Sequence, residues 1–157
     1  MKTNLGGKTT NIAKNTKQTV EIAKSLFDKI LKKDRPGGEA LIIALSGDLG
    51  AGKTTFVQAV ARHLGIKNKV GSPTFVIMKK YIIKNKKHKF LFHLDAYRLK
   101  NEKELLHLGW KEIVGNKDHL VFIEWPENVS KIIPPSSEFV HIFLGEQNER
   151  HFKWSPS

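Results

Sequence analysis

Apolar residues along the chain fall into runs and stripes that divide it into strands and helices. Residues 40–45 (Ala-Leu-Ile-Ile-Ala-Leu) form an unbroken apolar run, the pattern of a strand buried on both faces of a parallel sheet. Residues 75–83 and 90–94 are two further β-like runs, separated by Lys84-Asn85-Lys86-Lys87-His88-Lys89, which predicts a hairpin with a basic tip, read first as solvated and second as a contact for RNA or a partner's acidic face. Residues 120–123 form another buried strand, and residues 138–144 and 150–154 a terminal hairpin that covers a sheet edge. Helical spacing governs residues 16–33, where Val20, Ala23, Leu26, Phe27, Ile30 and Leu31 form one stripe behind Thr16 as N-cap. The same spacing recurs at Phe56, Val57, Val60, Ala61 and Leu64, with Gly65 placed to end that helix, and a short helix runs through Leu105, Leu106 and Leu108 to Gly109. Residues 1–14 are polar and lysine-rich without a stripe. They read as a flexible basic tail ahead of a single domain over 15–157.

Between the first buried strand and the helix that follows lies Gly47-Asp48-Leu49-Gly50-Ala51-Gly52-Lys53-Thr54-Thr55, which fits G-x-x-x-x-G-K-[ST]. Strand, glycine loop and helix are the context that gives this motif its chemistry. Glycines let the backbone curl so that successive N–H groups converge on anionic oxygens, and the helix N-terminus adds its partial positive charge. In such a loop Lys53 reaches the β- and γ-phosphates and the Thr54 hydroxyl serves Mg²⁺. Gly6-Gly7-Lys8-Thr9-Thr10 imitates the end of this motif but lacks its first glycine and an apolar strand before it.

Composition narrows the classes. The 157 residues suffice for one domain with a proper core. There is no cysteine, which excludes a disulfide framework and a thiolate metal site. No apolar run approaches a membrane span and no secretory leader is visible, so the expectation is a cytoplasmic protein with no membrane partner. The formal net charge of +12 is carried by lysines spread through helices and loops, with arginine only at Arg35, Arg62, Arg98 and Arg150. That distribution favours a lysine-rich composition over a dedicated nucleic-acid reader.

Two strands end in acids. His93-Leu94-Asp95-Ala96-Tyr97-Arg98 puts a carboxylate at a strand's C-terminal end, where open α/β sheets bind ligands. Asp95 fits a role on Mg²⁺ or on the attacking water, and equally a cap or an ion pair with Arg98. Leu120-Val121-Phe122-Ile123-Glu124 repeats the pattern with glutamate, so Asp95 and Glu124 compete for the metal and the water. His93 reads as a buried, hydrogen-bonded histidine. Ser72-Pro73-Thr74-Phe75 forms a loop where nucleotide hydrolases keep a γ-phosphate sensor. Trp125 lies beside the site, and Arg150 is a candidate neighbour of the nucleotide base.

Together the motifs at 47–55, 72–75, 93–99 (His-Leu-Asp-Ala-Tyr-Arg-Leu), 108–110 (Leu-Gly-Trp) and 124–127 (Glu-Trp-Pro-Glu) closely resemble the TsaE (YjeE) family over about residues 16–154. The resemblance implies an α/β P-loop NTPase fold, with a mostly parallel central sheet flanked by helices and an antiparallel hairpin. It also implies Mg²⁺-dependent ATP hydrolysis, weak in isolation. The ATPase would act with TsaB and TsaD homologues in making N6-threonylcarbamoyladenosine (t6A) in tRNA, supporting turnover without performing the transfer. By the same resemblance Leu49, Gly50, Ala51, Gly52, Lys53, Thr54 and Thr55 bind nucleotide, with Thr16 nearby. Thr54 and Glu124 serve the metal, and Lys53, Asp95 and Glu124 are catalytic. Two other readings of the motif are a small-molecule P-loop kinase and a nucleotide-dependent interaction module. A kinase usually carries an arginine-bearing lid, for which this chain has no long insertion.

Overall fold

A computed structural model describes residues 2–4, 8–84 and 86–155. Its centre is one sheet of eight strands: β1 (Lys2–Asn4), β2 (Lys8–Ala13), β3 (Leu41–Ser46), β4 (Met78–Ile82), β5 (Phe90–Asp95), β6 (His119–Glu124), β7 (Glu138–Leu144) and β8 (Arg150–Ser155). The order across the sheet is β1-β2-β8-β7-β3-β6-β5-β4. The four middle strands, β7, β3, β6 and β5, are parallel, and antiparallel pairs flank them on both sides.

Both faces are covered, which explains why the central strands are continuously apolar rather than alternating. On one face Leu41, Ile43 and Leu45 join Leu120, Phe122, Val140, Ile142 and Phe152 in a core sealed by α1 (Thr16–Lys32) and α2 (Lys53–His63). On the other face Ile42, Ala44, Val121 and Ile123 meet Leu105 of α3 (Lys103–His107), Trp110 and Ile113 of α4 (Trp110–Val114), and Val129 of the 3-10 segment Pro126–Ile132. The Trp110 indole N–H donates to the Ile132 carbonyl at 3.0 Å, satisfying its one polar atom inside this core.

Gly65 ends α2 as read, at φ 81°: its N–H donates to Arg62 and that of Ile66 to Ala61, the paired bonds of a Schellman motif. Three expectations need correction. The cap of α1 is Asn15, whose side chain accepts from the Gln18 N–H at 2.9 Å; Thr16 is the first helical residue. The basic tail is not loose over residues 8–13, because β2 pairs antiparallel with β8 from Thr9 opposite Trp154 to Ala13 opposite Arg150, and Ala13 is buried. Its polar side chains hid the strand, since the pairing rests on backbone hydrogen bonds. Residues 1 and 5–7, including Gly6 and Gly7 of the imitation loop, lie outside the described residues. Finally, β4 begins at Met78 rather than at residue 75, because residues 74–76 turn and Ile77 adopts φ 67°.

Candidate active site

β3, β5 and β6 run parallel and finish at one edge of the sheet, where the glycine loop leaves β3. Register places Asp95 opposite Glu124 on neighbouring strands, so the two carboxylates share the rim. A cleft of about 420 Å³ opens there, lined by the loop, by Ser72, Thr74, Tyr97 and Arg98, and by Asp95, Glu124, Trp125 and Arg150. This is the carboxyl-end position at which open α/β sheets take ligands.

The loop's outer glycines are fixed by packing and torsion. Gly47 sits at φ 147°, and a Cβ there would overlap the Ile142 carbonyl oxygen of β7. Gly52, at φ 111°, stands immediately before α2, and a Cβ there would come within 3.2 Å of the Arg150 guanidinium. Arg150 Nε donates to the Ala51 carbonyl at 3.0 Å, which ties β8 across the loop. Ala51 itself is buried beneath it.

Lys53 is buried and folds back on the loop, where its ammonium donates to the carbonyls of Gly47 and, at 2.9 Å, Asp48. It also stands 4.4 Å from the centroid of the Trp125 ring. Burial pushes its pKa below the usual lysine value, and the carboxylates of Glu124, Glu127, Asp95 and Asp48 pull in the opposite direction. Thr54 Oγ1 donates to Glu124 Oε1 at 2.7 Å. Asp95 accepts from the Thr74 hydroxyl at 2.7 Å and from the Tyr97 N–H at 2.9 Å, and Thr74 is 2.6 Å from the Ser72 hydroxyl. Asp95 therefore engages the loop at 72–75 rather than Arg98, whose guanidinium lies 4.7 Å from the centroid of Phe75.

Two non-glycine residues with left-handed backbones bracket the acids. Ile77, at φ 67°, accepts the Asp95 N–H on its carbonyl, and Trp125, at φ 58°, follows Glu124. A β-branched residue in that region is strained, and the surrounding hydrogen bonds hold it there. His93 is fully buried behind the site. Among the described residues its ring nitrogens find no hydrogen-bond partner, contrary to the sequence reading, and Nε2 stays 3.6 Å from Glu124 Oε1.

The donor set suits a nucleotide and a hard cation. Among the described residues no three His, Cys, Asp or Glu side chains converge into a metal cage. Mg²⁺ needs none, because it keeps waters and binds through one or two carboxylates plus phosphate oxygens. The pair Thr54 and Glu124 supplies the hydroxyl and carboxylate that such an ion takes. Thr55 lines the cleft with Leu49, Gly50, Gly52 and Thr54, whereas Thr16 is exposed and absent from the lining. Tyr97 and Arg98 reach the cleft with the motif at 93–99, and Arg150, read from the sequence as a candidate neighbour of the base, joins them without a motif of its own. Arg150 arrives through the pairing of β8, which no local signal near residue 150 reveals. A second cavity, of about 430 Å³, lies beyond the other end of β3 around Arg35, His88 and Ser137, and it has no phosphate loop.

Residues 13–152 match the family model described as threonylcarbamoyl adenosine biosynthesis protein TsaE. Among curated relatives, the tRNA threonylcarbamoyladenosine biosynthesis protein TsaE of Rickettsia felis is 32% identical over 140 residues, 88% of this chain and 75% of that protein. The protein of the same name from Rickettsia prowazekii is 35% identical over 136 residues, 85% of each chain. That from Bacillus subtilis is 35% identical over 114 residues, 73% of this chain and 68% of that protein. Among solved structures, Bacillus subtilis YdiB superposes with a TM-score of 0.68 at 26% identity, over 97% of this chain and 87% of that one. With the family model matched from residue 13 to 152, across β3 to β7 and the whole cleft, the chain belongs to the TsaE family of tRNA threonylcarbamoyladenosine biosynthesis.

Proposed function

We propose that the chain is the Mg²⁺-dependent ATPase of the t6A machinery, a cytoplasmic component that acts with TsaB and TsaD homologues on tRNA and does not itself perform the transfer. The observation that carries this reading is the Thr54–Glu124 hydrogen bond of 2.7 Å directly behind the Lys53 loop. It joins the hydroxyl and the carboxylate suited to a nucleotide-bound cation. Bound Mg²⁺ would supply charge neutralisation between the phosphates.

The chain's own residues would divide the remaining work. The backbone N–H groups over 49–54 cradle the phosphates, and the Lys53 ammonium exchanges its two loop carbonyls for phosphate oxygens. Glu124 holds Thr54 on the metal side. Asp95, bonded to Thr74, is better placed to orient water and to couple its position to the loop at 72–75. Leu49, Phe75, Val76 and Tyr97 are exposed apolar residues around the cleft mouth, which supports completion of the site by a protein partner. Chain-only ATPase activity is therefore expected to be slow.

The test is ATP turnover with Mg²⁺, alone and with purified TsaB–TsaD homologues. Stimulation of about tenfold or more is expected, lost in Glu124→Gln and Asp95→Asn. A phosphorylated small molecule formed without partner response would instead establish a kinase.

A further inference from the structure

The acids of this chain are not evenly distributed. Between Asp48 and Asp95 there is no acidic residue, and ten lysines and arginines fall in that span. Most of them lie on or beside the β4–β5 hairpin, and β4 is an outer strand of the sheet. Alternate residues of β4 face opposite sides: Met78 packs on one core cluster and Tyr81 on the other. Lys79 and Lys80 thus project to opposite flanks of the same edge. Lys80 lies over the Phe90 ring, 4.1 Å from its centroid, with its residue exposed. Lys84, Lys86, Lys87 and Lys89 continue the charge round the tip, all exposed.

Backbone hydrogen bonds also fix the two strand ends beside the tip. The Ile83 N–H donates to the Lys89 carbonyl and the Lys89 N–H to the Asp118 carbonyl, each at 2.8 Å, and His88 is buried beneath it. Among the described residues the acid paired with the tip is Asp118, which lies 3.3 Å from the Lys89 ammonium. A projecting ridge with cations on both flanks and round its end matches two rows of phosphates across a groove.

We propose that the β4–β5 edge is a binding ridge for the phosphate backbone of RNA. The choice of RNA rests on the tRNA-modification reading; the ridge rests on the charge and geometry above. Edge lysines also discourage sheet-to-sheet association, and that role alone would leave RNA affinity untouched.

The experiment measures fluorescence anisotropy of a labelled, unmodified tRNA transcript with the full chain, without nucleotide or partner proteins, from about 50 to 200 mM salt. Failure of the ATPase reading appears only in nucleotide assays, so the two ideas fail separately. The variant K80Q/K84Q/K86Q/K87Q is expected to bind roughly 10- to 100-fold more weakly and to lower the salt slope by about 1 per lysine engaged. The variant K84Q/K86Q/K87Q leaves β4 intact, guards against edge association, and should show most of the loss. A matched control, K14Q/K17Q/K103Q/K131Q, removes the same charge elsewhere and should stay within about threefold of wild type. Equal loss in the control, unchanged binding in both ridge variants, no tRNA binding by wild type, or equal affinity for labelled polyglutamate would each overturn the proposal.

Discussion

Lys53 spends its hydrogen bonds on loop carbonyls and its charge on the Trp125 face, an arrangement with a direct competitor in any bound triphosphate. Removing the ammonium should leave the sheet unaffected and abolish the phosphate contact. We expect Lys53→Ala to weaken ATP binding roughly 100-fold, about 3 kcal/mol, with an unchanged melting temperature. Calorimetric affinity equal to wild type would refute the phosphate role. Gly47 behaves oppositely. Its left-handed φ and the Ile142 carbonyl leave no room for a methyl group, so Gly47→Ala should cost about 2–3 kcal/mol of stability as well as nucleotide binding. Thermal denaturation of the variant reads that directly; a stable variant would show that the backbone can shift there.

At the scale of elements, β7 is anchored by a buried carboxylate. Glu138 is fully buried and accepts from Lys33 at 2.9 Å, Arg35 at 3.0 Å and the Trp154 indole at 2.9 Å. Burial alone would raise its pKa; the hydrogen bonds to Lys33, Trp154 and Arg35 outweigh it and hold the carboxyl below its usual value. A depressed folded pKa stabilises the protein above the unfolded carboxylate range. That contribution disappears as pH falls through the folded value. Wild type should therefore lose stability in acid, with a smaller loss in Glu138→Ala, whose stability near neutrality is already lower by about 3 kcal/mol. Denaturant titrations at neutral and acid pH measure both, and an identical acid response in the two proteins would remove Glu138 as a cause. β2 makes a second element-scale case. A chain begun at Lys14 loses the strand that covers β8, and should melt lower and associate with concentration in sedimentation. Unchanged melting would mean that the strand adds nothing.

For the whole molecule, what the sequence displayed depended on which force fixed each part. The buried parallel strands, the glycine loop and the acid-tipped ends of β5 and β6 were legible because burial and phosphate chemistry demand particular residue types at fixed spacings. β2 was not, because backbone pairing leaves polar Thr9, Thr10 and Asn11 free to look like a tail. The juxtaposition of Arg150 with Ala51 is long-range and has no local pattern. Asn15 displaced Thr16 as cap by one position, a choice between two good capping residues that composition alone does not decide.

The pairing of β2 with β8 has a temporal side. β2 is synthesised early, yet the strand that accepts it emerges only after β7, with residue 13 waiting for residue 150. At roughly 5–20 residues per second, that wait is on the order of ten seconds. Throughout it β2 lacks the strand that joins it to the rest of the sheet, and α1 can dock only on a partly built face. A nascent chain arrested before β8 should keep residues 8–13 open to protease, and release of one further hairpin strand should close them.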